Sequence, residues 1–134
     1  MLRRVRVVIR HAMSALFPRS RDWPGIVDTG VDEFLVRFMR DAPFSLRVGV
    51  RLGAFVFMFF PLITIGIPLP SFLLPAKTLD RYAAKISSHP IYLVRQAVFL
   101  VKMVAGLCWA AHPTMRKNFA LPAYPPDPGT WRTK

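Results

Sequence analysis

The chain has 134 residues, of which 53% are hydrophobic and 19% charged, and its formal net charge at pH 7 is +12. This length allows one domain with a modest core, so part of the apolar surface is expected to face lipid or a larger protein instead of water. The single cysteine, Cys108, excludes an internal disulfide, and its apolar surroundings in the sequence indicate an ordinary core position.

The positive charge is concentrated at the N-terminal end, where the first 21 residues contain six arginines and no acidic residue. Such a surplus favours nucleic acid, anionic lipid headgroups or an acidic protein as a partner. We do not expect nucleic acid, because the basic residues do not alternate with aromatic side chains and no nucleic-acid-binding module is visible. An anionic membrane surface is therefore one of the expected partners.

Residues 1–18 are predicted to form a basic amphipathic helix. Apolar residues recur at helical spacing on one face, and the opposite face carries Arg3, Arg4, Arg6 and Arg10. A helix of this type lies on a membrane or docks on an acidic partner, although an ordinary surface helix fits equally well. A secretory or twin-arginine signal is disfavoured, because arginines interrupt the apolar run that such a signal requires.

Residues 26–112 are predicted to form a helical core domain. Its first helix follows Thr29, a residue type that caps helix N-termini, and carries acidic residues in its first turn, where the helix dipole favours them. Pro43 is expected to end this helix, and Ser45 is expected to cap the next one.

The most apolar part of the chain is the 25-residue run 52–76, which contains four prolines and no charge. Only about sixteen residues precede the break expected at Pro68, fewer than the roughly 20 that a straight membrane span needs. The later prolines predict an extended apolar strap, whose backbone amides lipid cannot satisfy. We expect a protein partner or a membrane to contact the large apolar side chains of this run, namely Phe55, Phe59, Phe60, Ile65, Ile67, Phe72, Leu73 and Leu74.

Two further helices complete the predicted core domain. Thr78 is expected to cap the first, and the second is expected to run from about Ile91 to Ala111 before Pro113. Arg95 and Lys102 are the only charges in this last helix. Its length and composition fit either the central helix of a bundle or a membrane helix.

Residues 113–134 contain five prolines and are predicted to form an extended Pro-rich tail. Trp131 is expected to be anchored on a partner or a membrane, because an exposed terminal tryptophan forgoes burial energy. With this tail, the sequence predicts an all-α fold of about five helices in a small bundle, broken by the apolar strap.

No catalytic, cofactor-binding or metal-binding residue is predicted, and the chain is not expected to be an enzyme. His11, His89 and His112 are scattered, with no cysteine or carboxylate at the spacing of a metal site. The sequence also contains neither a glycine-rich phosphate loop nor a nucleophile elbow.

Four segments follow one another in an order that resembles a known family. They are VDEFLVRFMR, SLRVGVRLGAFVF, PSFLLPAKTLDRYAAKI and LVRQAVFLVKMVAGLCWAAHPTMRKNFALPAY. It resembles the small helical subunit of flavin-dependent dehydrogenases of the glucose–methanol–choline type, a group typified by the gluconate 2-dehydrogenase small subunit. It is also similar to the helical region that precedes the flavin domain in long-chain alcohol oxidases. The resemblance spans about residues 26–125, with the segment 79–81 at the position of a leucine–arginine pair and residues 118–124 at the closing position.

The resemblance implies a non-catalytic accessory subunit that stabilises a larger flavin dehydrogenase, at or near a membrane. The FAD would then belong to the partner, and no cofactor is expected in this chain. The main alternative is a small integral membrane protein that acts as an auxiliary subunit of a membrane complex. Its helical hairpin would span about residues 46–67 and 91–111, with both ends on the arginine-rich cytoplasmic side.

A peripheral protein that rests on anionic lipid through its first helix is a third interpretation. All three interpretations associate the chain with a membrane or a membrane complex. They leave open whether it lies on the cytoplasmic or the periplasmic side.

Overall fold

The computed structural model describes residues 3–122 and 125–126. No strand occurs in these residues, and the predicted all-α bundle is confirmed. Five of the seven α-helices in this part of the chain have more than ten residues, in agreement with the predicted number. The α-helices are α1 (Arg3–Leu16), α2 (Val31–Asp41), α3 (Phe44–Phe59), α4 (Pro61–Ile65), α5 (Ala76–Ser87), α6 (Tyr92–Ala111) and α7 (Pro113–Asn118).

Helices α3 and α6 form the most extensive helix pair of the bundle, and they run antiparallel. A Cβ atom added to Gly49 would lie 2.9 Å from Cδ1 of Leu100, and one added to Gly53 would lie 2.1 Å from the carbonyl oxygen of Ala97. From Gly49 to Gly53 the residue numbers rise along α3, while those of the contacting α6 residues fall from Leu100 to Ala97. Because only glycine lacks a Cβ, Gly53 allows the two backbones to approach this closely.

The core lies where α1 packs against both α3 and α6, with α2 and α5 closing its sides. Large side chains from all five helices are fully buried there, including Met13, Leu35, Phe57, Tyr82 and Val101. The Tyr82 hydroxyl donates a hydrogen bond of 2.6 Å to the carbonyl oxygen of Phe57. This bond satisfies a buried hydroxyl and links α5 to the core face of α3.

The helix start predicted at Thr29 is wrong in detail. Thr29 is buried in a short 3-10 helix, Ile26–Thr29, and its hydroxyl donates to the carbonyl oxygen of Ile26 at 2.7 Å. The residue before α2 is instead Gly30, in the left-handed conformation with φ of 69°. A glycine adopts this conformation without a Cβ clash, so the chain turns there from the 3-10 helix into α2.

The two other predicted caps are wrong for a shared reason. Ser45 lies inside α3, which is preceded by Pro43, and Thr78 lies inside α5, which is preceded by Pro75. Both prolines have ψ near 150° and make no side-chain cap. Each proline holds the chain extended immediately before the helix, so the helix begins earlier than a serine or threonine cap would place it.

The apolar run 52–76 breaks earlier than predicted. Helix α3 ends at Phe59, and Pro61 occupies the first turn of α4, where its missing N–H removes no helical hydrogen bond. Gly66, with φ of 73°, ends α4. The following strap, residues 68–76, is irregular apart from a 3-10 turn at Ser71–Leu73 and the start of α5.

The segment after α6 begins with a helix, so the prediction of extended chain from residue 113 is wrong for its first part. Pro113 begins α7, and Nδ1 of His112 accepts a hydrogen bond from the Thr114 N–H at 3.3 Å. Met115 is fully buried and fixes the short helix on the bundle. Trp131 lies outside the described residues.

Candidate functional site

The paired helices α3 and α6 share an apolar surface on the side opposite the core, which we call the outer face. The antiparallel register places the exposed positions of both helices on the same side of the pair, since each helix turns its buried positions towards α1. Seven large apolar side chains with exposed fractions of 37% to 75% make up this face, namely Leu52, Phe55, Phe59, Leu93, Phe99, Met103 and Leu107.

The seven side chains of the outer face are uncharged, and Arg95 and Lys102 border it beside Phe99. Half-buried Val48, Val56, Gln96 and Leu100 fill the space between its exposed members. The rings of Phe55 and Phe59 stack, with centroids 6.3 Å apart. A contiguous apolar surface of this kind is uncommon on a monomeric soluble protein, which makes it a candidate contact surface.

One end of the outer face continues onto neighbouring elements, and we call this continuation the apolar end. The register brings the C-terminal end of α3, followed by α4, to the N-terminal end of α6. Four large side chains there are more than half exposed, namely Leu62, Ile63, Ile91 and Tyr92. The strap also carries exposed side chains at Leu69, Phe72 and Leu73, but its Ser71 is buried against His11 of α1, so the strap lies on the core side of α3.

The structure divides the predicted apolar contact residues between surface and interior. Four of them are exposed, namely Phe55, Phe59, Phe72 and Leu73. Three are half-buried and pack against the core, namely Phe60, Ile65 and Ile67. Leu74 is only 8% exposed, so the structure assigns it to the core instead of the contact surface. It turns inwards where the strap returns to α5.

The helix 91–111 was expected to contact a larger partner, but none of its residues was among the predicted contact residues. Phe99, Met103 and Leu107 follow one another at intervals of four, a spacing that places them on one side of a helix. Because most other positions of α6 are also apolar, and only Arg95 and Lys102 are charged, this periodicity alone did not fully separate the packed side from the exposed side.

A basic surface lies where α1, α2 and α3 meet. Five arginines line a pocket of about 430 Å³, to which Val36 and Met39 also contribute, and we call it the arginine pocket. Its arginines are Arg3, Arg6, Arg40, Arg47 and Arg51. Two members of the predicted basic helix face do not line this pocket. Arg4 is exposed, and Arg10 forms an ion pair of 3.0 Å with Asp32 of α2.

A groove of about 840 Å³ lies between α2, the start of α3 and the end of α6. Its polar and titratable lining residues are Thr29, Glu33, Arg37, Asp41, Cys108 and His112. Burial raises the pKa of the Cys108 thiol, so this thiol is poorly disposed to act as a nucleophile at neutral pH. Within the described residues, no cluster of three or more histidine, cysteine or acidic side chains could hold a metal ion.

Helix α6 is long and apolar enough to cross a membrane by length and composition, and 33% of its most apolar window is buried in the bundle. The core helix of a soluble protein can have the same properties. Comparison with family models, curated proteins and solved structures finds no match to this chain. The fold and its surfaces define a small all-α bundle with an uncovered apolar face and a basic pocket.

Proposed function

We propose that this chain is a non-catalytic accessory protein that docks its outer face on a larger protein at or near a membrane. The observation that carries the proposal is the outer face itself, an uncharged surface of seven large apolar side chains on two tightly packed helices. The sequence resemblance gives the class of the partner as a flavin-dependent dehydrogenase of the glucose–methanol–choline type. The partner would hold the FAD.

The burial energy of the outer face favours a partner large enough to cover more than these seven side chains. Covering a half-exposed leucine or phenylalanine contributes about 1 kcal/mol, so the seven side chains contribute roughly 7 kcal/mol. Association of two proteins costs roughly 4–15 kcal/mol in lost translational and rotational freedom. The outer face alone therefore supports only a weak complex, and a stable one has to cover the apolar end as well.

The length of α3 and the backbone of the strap favour protein over lipid as the covering medium. Helix α3 has 16 residues and is therefore about 24 Å long, shorter than the roughly 30 Å of a bilayer core. The strap that follows has irregular backbone next to the exposed side chains of Phe72 and Leu73. Lipid does not accept exposed irregular backbone, whereas a protein partner can supply hydrogen bonds to it.

The length and composition of α6 support the second candidate, a membrane hairpin built from α3 and α6. Extraction distinguishes the two candidates, because an integral hairpin stays with the membrane in alkaline carbonate. A docked accessory protein leaves the membrane or follows its partner.

The decisive test is copurification of this chain with a flavin dehydrogenase of the glucose–methanol–choline type from cells that contain both proteins. The variant Phe99→Glu/Leu107→Glu places two charges on the outer face. The matched control, Val27→Glu/Leu121→Glu, places the same charges at two other exposed apolar positions. We expect the first variant to lose the yellow, FAD-containing partner and the control to retain it. Retention of the partner by both variants would refute the proposal.

A further inference from the structure

We propose that the arginine pocket binds the phosphate group of an anionic phospholipid and thereby fixes the chain on a membrane surface. The pocket draws its charges from three helices: Arg3 and Arg6 from α1, Arg40 from α2, and Arg47 and Arg51 from α3. This surface is separate from the outer face, so the proposal stands without the proposed docking partner.

The arginine pocket is short of negative charge. The three ion pairs among the described residues join Arg10 to Asp32, Arg19 to Asp28 and Arg40 to Asp41. Arg40 is thus the only pocket arginine with a carboxylate at ion-pair distance in this part of the chain. Four guanidinium groups around one cavity repel one another, and an anion that enters the cavity relieves this repulsion.

The hydrogen bonding of Arg47 supports an anion in the pocket independently of the charge argument. Its Nε atom is buried and has no hydrogen-bond partner, and its Nη1 group reaches the carbonyl oxygen of Met39 only at 3.5 Å. A buried donor without an acceptor is unfavourable, and such groups in folded proteins usually have a partner. A phosphate oxygen in the pocket would supply the missing acceptor once the Arg47 side chain rotates, because the Nε atom itself is not open to the pocket.

The chemistry of the pocket fits a phosphate group. A guanidinium presents N–H groups in a planar fork that binds two oxygens of a phosphate at once. Arg47 and Arg51 are one helical turn apart on α3, and Arg3 and Arg6 are at the same kind of spacing on α1. Two pairs of guanidinium groups thus line the cavity from different helices. This arrangement suits a phosphate ester, which offers several oxygens, better than it suits a single carboxylate, which offers two.

The rim of the pocket favours a lipid over a free phosphate. Val7 follows Arg3 by one turn of α1 and is 60% exposed, and the pocket-lining Val36 is 50% exposed. Protein surfaces that enter the boundary between headgroups and acyl chains combine basic residues with exposed apolar side chains. A soluble phosphate compound would gain nothing from them.

The test measures binding of the full chain to vesicles that contain phosphatidylglycerol and to vesicles of phosphatidylcholine alone, at physiological salt. The variant Arg47→Gln/Arg51→Gln is compared with Arg21→Gln/Arg81→Gln, which has the same net charge but changes two exposed arginines outside the pocket. We expect the pocket variant to lose about tenfold or more in affinity for phosphatidylglycerol vesicles and the control to stay within about twofold. Arg47→Lys should lose part of the affinity, because it keeps the charge without the fork.

Three outcomes would overturn the proposal. Equal losses in the two double variants would show attraction by diffuse charge. Equal binding of the unmodified chain to both vesicle types would show that no anionic headgroup is recognised. Protection from thermal unfolding by inorganic phosphate, without a preference for phosphatidylglycerol, would assign the pocket to a soluble phosphate. If the Arg47→Gln/Arg51→Gln variant does not fold, Arg3→Gln/Arg6→Gln on α1 tests the same pocket.

Discussion

The contact between Gly53 and α6 gives the sharpest test of the structure. In the variant Gly53→Ala, the new methyl group would lie 2.1 Å from the carbonyl oxygen of Ala97 and 2.8 Å from Cγ2 of Val101. Ordinary contacts of this type are about 3.5 Å long, so the two helices have to separate by more than about 1 Å. The Ala97 oxygen belongs to the backbone of α6 and cannot move away by a side-chain rotation.

The expected loss of stability follows from two opposing effects. Overpacking a well-packed core costs about 1–3 kcal/mol, and a backbone clash belongs at the upper end of this range. Alanine recovers up to about 1 kcal/mol, since it favours a helix interior more than glycine does. We expect Gly53→Ala to lower the free energy of unfolding by about 2 kcal/mol, which at this chain length lowers Tm by roughly 6–8 °C.

The assay is thermal unfolding followed by circular dichroism, with Gly106→Ala as the matched control. Gly106 lies on α6, and a Cβ there would have its nearest neighbour, Cζ of Phe17, at an ordinary 3.6 Å. The control should therefore unfold at the same or a higher temperature than the unmodified chain. If Gly53→Ala were as stable as Gly106→Ala, the close antiparallel contact between α3 and α6 would be wrong.

Two further predictions concern titratable groups. Burial lowers the pKa of His11, whose Nε2 lies 3.0 Å from the Ser71 hydroxyl, so the unfolded chain takes up a proton before the folded one does. The stability that this histidine contributes is fully present above its unfolded pKa of about 6.5 and falls as the pH drops below it. His11→Gln should flatten this part of a plot of unfolding free energy against pH, and an unchanged slope would exclude His11 as its cause. Burial also raises the pKa of the Cys108 thiol, so a thiol reagent at neutral pH should react with it slowly in the folded chain and rapidly in denaturant. Equal rates in the two conditions would contradict its buried position.

The sequence predicted the helices well because their apolar residues recur at helical spacing. It placed the ends of α3 and α5 less well, because Ser45 and Thr78 look like caps while the preceding prolines decide where these helices begin. Similarly, Pro68 looked like the end of a long helix. Helix α3 ends earlier, at Phe59, and Pro61 begins the separate short helix α4.

The two candidate surfaces depend on tertiary packing and were predicted only in part. On a helix as apolar as α6, only Arg95 and Lys102 mark an exposed side in the sequence, and the contact at Gly53 fixes which side packs against α3. In the arginine pocket, Arg47 and Arg51 are visibly one turn apart in the sequence. Their meeting with Arg3 could not be predicted, because it requires the relative placement of α1 and α3.

Helices α3 and α6 carry the core on one side and the outer face on the other. When a partner covers the outer face, both helices become interior helices of a larger assembly, and the same residues then hold the monomer and the complex together. Folding and binding are thereby coupled, so a partner present at a hundredfold excess over its Kd would stabilise the fold by about 2.7 kcal/mol. Cells that lack the partner should clear this chain faster, and its steady-state level should follow the supply of the larger protein.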